Sequence, residues 1–272
     1  MEFFSEIEKI LQLPSFEEKI LESKKFFKLF KENKLSFNHS YQIIKFSNPS
    51  YSNFCKVVEP KNVLRRRGFE TKEKKGVLIH SITHIEFSAI DLAFDACYRF
   101  RNMPIKFYQD WIEVAEDEVR HFEKLHQLLK EVGYKYGDFP VHNSLFEASQ
   151  KTQTLIERMA VVPRWLEANG LDANENIISK LKNYPNDNIA KKLIQTLYVV
   201  LEEEIPHVQK GDYWFKWCCE KNQFDIESKY FEIVNRCYKN IKPKTNINIE
   251  ARKKAGFSCN EIQLLAKNKI EC

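Results

Sequence analysis

Two Glu-x-x-His motifs, Glu118-Val-Arg-His121 and Glu204-Ile-Pro-His207, each fall inside an apolar stripe of helical period. No other feature narrows the folds open to this chain as much. Glu and His three residues apart on a helix are separated by ~60° around its axis, so both can face one point. Trp111, Val114, Glu118 and Leu125 share one stripe, and Glu204 follows Leu197 and Val200 at the same spacing. A carboxylate on an apolar face is costly to bury unless a charge compensates it, and a divalent cation would do so. The bland alternative, solvated Glu and His on broad helices, leaves their place on the stripes unaccounted for.

The pattern around the motifs is helical throughout. Ile79, Ile82, Ala89, Ile90, Ala93 and Cys97 form one stripe, Phe107 to Leu129 a second, and Ile189, Leu193, Leu197, Val200 and Val208 another. Asn102-Met-Pro104 breaks the first from the second, and Gly133 should end the second. The eleven residues Gly133 to Asn143 could reach on the order of 36 Å when extended, enough to return the chain to the far end of a bundle. Ser144 with Glu147 is a capping-box pattern opening a helix that could run to Asn183, with Pro163 and Gly170 predicting a kink. Pro206 predicts a second kink. Ser15 with Glu18 caps a helix toward Asn33, and Asn48 to Asn53 reads as loop. With 7 Gly, 9 Pro and 30% charged residues, the expected fold class is all-α. The chain divides into an N-terminal accessory segment (1–75), a four-helix bundle (76–220) and a basic C-terminal extension (221–272).

Position along the helices then selects partners for the motifs. Helices joined by a short turn bring together residues equidistant from it. Glu118 lies fifteen residues after Met103 and Glu86 seventeen before it; Glu204 lies nineteen after Pro185 and Glu167 eighteen before it. Glu157, the rival of Glu167, is ten residues further off, ~15 Å along a helix. The expected ligand set is Glu86, Glu118, His121, Glu167, Glu204 and His207: four carboxylates and two imidazoles, which match two dications in charge. His80 and His84 face away from Glu86, so supporting roles are expected of them. Asp91, Asp117 and Glu203 are candidate acceptors for the ligand imidazoles. The four Trp residues read as core packing.

Charge and cysteine content exclude little. The net charge of +5 is mild, and Arg65-Arg66-Arg67 and Arg252-Lys253-Lys254 are basic clusters that could meet phosphate but usually mark solvated surface. Seven cysteines without a Cys-x-x-Cys pair, an acidic N-terminus, and no run of about 18 uncharged apolar residues lead us to expect a cytoplasmic chain with reduced thiols and no membrane span.

Beyond these local patterns, the runs HSITHIEFSAIDLAFDACYRF, DWIEVAEDEVRHFEKL, YGDFPVHNSLFEA, RMAVVPRWLEANGLDANE and LEEEIPHVQKGDYWFKW, with a weaker echo in NIEARKKAGFS, resemble an uncharacterised bacterial family of ferritin-like proteins. The resemblance covers about residues 60–220 and implies a ferritin-like bundle with the same six ligands. The Leu166-Glu167-Ala168 context is similar to that of a ligand in the di-iron tRNA hydroxylases acting on modified isopentenyladenosine, which implies two Fe ions (or Mn) and oxygen chemistry. Three functions follow as expectations: a di-iron oxidase or hydroxylase with an electron donor and an unknown substrate, RNA nucleosides included; a ferroxidase; or a non-enzymatic protein that keeps metal for stability.

Overall fold

Helix starts follow side chains able to cap them. Ser15, Thr71, Thr154, Asp187, Asp225 and Ser258 each accept a hydrogen bond from a backbone N–H of the first turn they precede. In the computed structural model, which describes residues 1–238 and 241–271, the fold is all-α; among these residues the only β-pairings are three isolated bridges. The chain forms two compact units, Met1–Glu147 and Ala148–Cys272.

The first unit is built on two long helices, α3 (Lys72–Arg99) and α4 (Ile105–Glu131), packed as an antiparallel pair. Two N-terminal helices, α1 (Phe3–Gln12) and α2 (Phe16–Lys31), pack on them. The first was not anticipated, although Phe3, Phe4, Ile7, Ile10 and Leu11 make a helical stripe and all are buried. The aromatic rings continue this core: Phe3 meets Phe26 at 5.4 Å between centroids, and Phe26 meets Phe94 at 5.7 Å. Lys19 is fully buried on α2, where its ammonium pairs with Asp91 and donates to Ser50 Oγ at 2.6 Å.

By length and composition α3 comes nearer to a membrane span than its sequence suggested, but 78% of its most apolar window is buried, as in a core helix. Gly133, at φ +84°, ends α4 as expected, with Tyr134 N–H bonded back to Leu129 O at 3.1 Å. The connection after it is not extended. Tyr134 packs against Gly76, Gly137 N–H donates to His80 Nε2 (3.0 Å), and His142 O accepts from His84 (2.8 Å). From Gly76 to His84 it therefore covers only ~12 Å of α3.

The division between units falls inside α5 (Ser144–Lys151). The second unit continues with α6 (Leu155–Val161), a π-turn (Val162–Glu167), α7 (Ala168–Leu181) and α8 (Asn188–Asn222). Short helices α9 (Ile226–Cys237), α10 (Ile249–Lys254) and α11 (Cys259–Leu265) complete it. The third predicted helix is thus interrupted. Its real break lies at Thr152–Thr154, where Thr154 and Glu157 form a capping box and restart the chain as α6. Pro163 widens the helix into the π-turn instead of ending it, and Gly170 leaves α7 intact. Pro206 is exposed, and α8 runs through it despite the lost backbone hydrogen bond.

The C-terminal chain is folded into this second unit. Arg252 is not surface: it is fully buried and grips Asp172 through two nitrogens, Nε to Oδ1 at 3.1 Å and a terminal nitrogen to Oδ2 at 2.7 Å. Arg65, Arg66 and Arg67 are exposed, as expected.

Candidate metal centre

The first motif and its predicted partner meet inside the first unit. Glu86 on α3 is 5% exposed, and Glu118 and His121 on α4 are fully buried. The Nδ1 atom of His121 lies 3.2 Å from Glu86 Oε2 and 3.5 Å from Glu118 Oε2. One ligand atom from each of the three falls within 4.8 Å of the others. The antiparallel pairing of α3 and α4 explains this, because it places equidistant residues side by side.

The electrostatics of this triad are unbalanced. Burial, and then the negative charge of Glu118, push the Glu86 carboxyl up to about 7. Burial also opposes the imidazolium of His121, but hydrogen bonds to Glu118 and Glu86 and their charges outweigh it and push the ring up to about 12. One imidazolium cannot neutralise two carboxylates, so the cluster holds a proton between them or carries excess negative charge. Two carboxylates and an imidazole nitrogen converging in a buried space form a donor set suited to a first-row divalent metal. The residues therefore fit the metal that the motifs imply.

The second motif lies in the second unit. On α8, His207 is fully buried, Glu204 is 8% exposed, and His207 Nδ1 stands 3.8 Å from Glu204 Oε1. Both motif imidazoles thus turn Nδ1 toward their own glutamate. Glu167 closes the π-turn and is half-buried. Its height relative to α8 follows from a close backbone approach: a Cβ on Gly211 would collide with the Pro163 ring. Glu167 is one turn beyond Pro163 and His207 one turn before Gly211, so in two antiparallel neighbours they stand at one level. Glu157 is occupied elsewhere. It accepts from Gln153 N–H (2.9 Å) and Thr154 N–H (3.0 Å) and pairs with Arg236.

Other predicted positions resolve into structural roles. His84 Nε2 meets His142 O and its Nδ1 meets Tyr136 Oη, each at 2.8 Å. Burial lowers His84 to about 3 and His80 to about 4, so both rings are neutral. Asp91 does not orient a ligand imidazole, since it is bound by Lys19 and Ser50. Asp117 pairs with Arg120. Trp111 and Trp214 are buried core residues, and Trp217 lies under the Lys221 ammonium at 3.8 Å. Cys55, Cys97, Cys218, Cys219 and Cys237 form no disulfide, and Cys272 lies outside the described residues.

Sequence reasoning missed the supports of the π-turn. Arg164, fully buried within it, pairs with Asp212 of α8 (3.0 Å) and Glu261 of α11 (2.7 Å) and faces the rings of Tyr230 and Phe257. Arg252 donates to Ala168 O at 2.9 Å, directly after Glu167. The signal available was the buried spacing of Ala251, Ala255 and Ile262 around the supposed surface basic run.

A family model described as "Protein of unknown function (DUF455)" matches residues 12–263. A Haemophilus influenzae protein described as uncharacterized is 38% identical over 217 residues, which cover 76% of this chain and 72% of that protein. Neither description mentions ferritins or hydroxylases. No solved structure matches the chain.

Proposed function

The chain belongs to this family of proteins of unknown function, and from the chemistry of its buried carboxylate–imidazole groups we propose that it is a non-haem di-iron carboxylate protein of ferritin-like class that oxidises an organic substrate with dioxygen. The observation that carries this reading is the triad Glu86, Glu118 and His121, two carboxylates and an imidazole nitrogen that converge in a buried space. We assign Glu167, Glu204 and His207 as the second half of the ligand set, on their matching register and on the approach of each motif's imidazole Nδ1 to its own glutamate. Bound iron would supply the electrons that reduce dioxygen. The chain's own residues hold it: six side chains give oxygen and Nδ1 donors, and the apolar stripes around them exclude water. The reading includes an external electron donor, a cytoplasmic setting and an RNA nucleoside or small molecule as substrate.

Anaerobic loading with ferrous iron, followed by metal analysis and dioxygen uptake, tests the proposal. About two metals per chain and rapid dioxygen consumption are expected. Fewer than about one and a half metals per chain, with iron or manganese in excess, overturns it. Binding must expel the protons held by Glu86 and His121, so affinity is expected to rise from about pH 6 to about pH 8 with measurable proton release. Titration calorimetry in two buffers of different ionisation enthalpy reads that release directly.

A further inference from the structure

Tyr136 is a buried phenol in the connection between α4 and α5, and its hydrogen bonding fixes the direction of a proton path. The backbone carbonyl of His142 can only accept, so His84 Nε2, 2.8 Å away, must carry a hydrogen. In a neutral imidazole the other nitrogen then has a lone pair. The Tyr136 hydroxyl, 2.8 Å from His84 Nδ1, must donate to it. The Cys55 thiol borders the same phenol oxygen. The order is Tyr136 O–H to His84 N, then His84 N–H to His142 O, with no water needed.

The ring of Tyr136 is placed as specifically as its hydroxyl. It lies 5.1 Å from the Phe87 ring and 5.3 Å from the Phe122 ring, between centroids. Phe87 follows Glu86 in the chain and Phe122 follows His121. The phenol is 2% exposed, so a radical on it would be shielded from solvent and external reductants.

We infer that Tyr136 is a redox-active tyrosine that serves the Glu86–Glu118–His121 site as a one-electron donor, with His84 positioning its proton. In the step, the Tyr136 O–H bond breaks and an N–H bond forms at His84 Nδ1. Tyr136 becomes a neutral phenoxyl radical, and its electron goes to the metal centre once dioxygen has oxidised it. His84 keeps its hydrogen bond to His142 O throughout, so the proton stays beside the phenol and returns when the radical is reduced. This inference rests on the proposed function for the oxidant alone; the tyrosine and its proton acceptor are in the fold without metal.

Two measurements separate the claims. The metal-free full chain is flash-oxidised with a ruthenium polypyridyl photo-oxidant, and radicals are followed by electron paramagnetic resonance with ring-deuterated tyrosine as the marker. A tyrosyl signal living about tenfold or more longer than those of surface tyrosines is expected in the wild type, absent in Tyr136→Phe and formed about tenfold more slowly in His84→Gln. Equal signals in wild type and Tyr136→Phe overturn the inference, whereas a structural role alone would shift melting temperature and leave the radical unchanged. The ferrous-loaded protein is then mixed with dioxygen and frozen. Dioxygen consumption with a Tyr136-dependent radical supports the inference, and consumption without one overturns it. Failure to bind iron or consume dioxygen counts against the proposed function, and the photo-oxidation result still decides Tyr136.

Discussion

Glu118→Ala is expected to reduce bound metal from about two ions per chain to fewer than one, while leaving the metal-free fold nearly as stable as before. The two halves of this result have one cause. Glu118 and Glu86 face the same imidazole, and Glu86 is held protonated by burial and by the Glu118 charge. Removing Glu118 takes away a metal donor and a buried like charge together. Without metal, Glu86 can ionise and take over the pairing with the His121 imidazolium, so the change in unfolding free energy should stay within about 1 kcal/mol. With metal, the loss is large. A ligand at a hundred times its dissociation constant stabilises the native state by about 2.7 kcal/mol, and the variant forgoes that gain. Thermal unfolding with and without ferrous iron under anaerobic conditions measures both quantities. A variant that still shifts upward on adding iron would remove Glu118 from the site.

The contrasting variant is Glu157→Ala. Its carboxylate caps α6 and pairs with Arg236, so it should cost about 1 kcal/mol through the lost cap and leave metal content unchanged. If Glu157→Ala lost metal and Glu167→Ala did not, the choice between these two carboxylates would be reversed.

The parts of this protein legible in its sequence are those governed by periodicity and equidistance. Helix stripes and one short turn place Glu86 opposite Glu118, and the two carboxylates meet at the His121 Nδ1 atom, 3.2 Å and 3.5 Å away. Local rules gave the ends of α4 and the cap of α2 because Gly133 and Ser15 act through their own backbone neighbourhoods. The interruption at Thr152–Thr154 carried an equally local signal, the Thr154–Glu157 box, which the longer apolar pattern masked. What remained hidden depends on distant residues. The apolar spacing of Ala251, Ala255 and Ile262 hints that the run around Arg252 is buried, but nothing local identifies its partners Asp172 and Ala168, eighty and eighty-four residues away. Pro163 reads as a kink, but whether a helix breaks or widens there depends on what packs against it, and Gly211 admits its ring. His80 and His84 carry metal-binding spacing, yet Tyr136, Gly137 and His142 claim their nitrogens.

Arg252→Ala is expected to be among the most destabilising single changes outside the candidate centre, costing about 3–5 kcal/mol in unfolding free energy. The guanidinium is fully buried, and Asp172, Ala168 O and Asn169 all accept from it. Deleting it leaves the Asp172 carboxylate buried with Lys244 Nζ at 2.7 Å and the Asn248 N–H at 2.9 Å in compensation, which sets the cost toward the lower end of that range. Arg252→Lys should recover little, because an ammonium cannot reach both carboxylate oxygens and the carbonyl in one plane. Replacing the pair together, Arg252→Met with Asp172→Leu, should recover most of the loss, since the penalty lies in the stranded charge. Acid adds an independent check. Burial works against the Asp172 charge, but hydrogen bonds and charge from Arg252, reinforced by Lys244, hold its carboxyl below the ordinary range. A depressed folded-state value stabilises the protein above the unfolded value and ceases to as pH falls through the folded one. Wild type should therefore lose this increment only in strong acid, and Arg252→Ala should show a smaller acid-dependent loss because its increment is already gone. Urea unfolding at several acidic pH values reads both slopes. Arg252 also grips the residue after Glu167, so residual metal binding in the folded fraction of Arg252→Ala should weaken at the second motif while the Glu86–Glu118–His121 triad is unaffected. Equal weakening at both would mean that Arg252 supports the fold without steering Glu167.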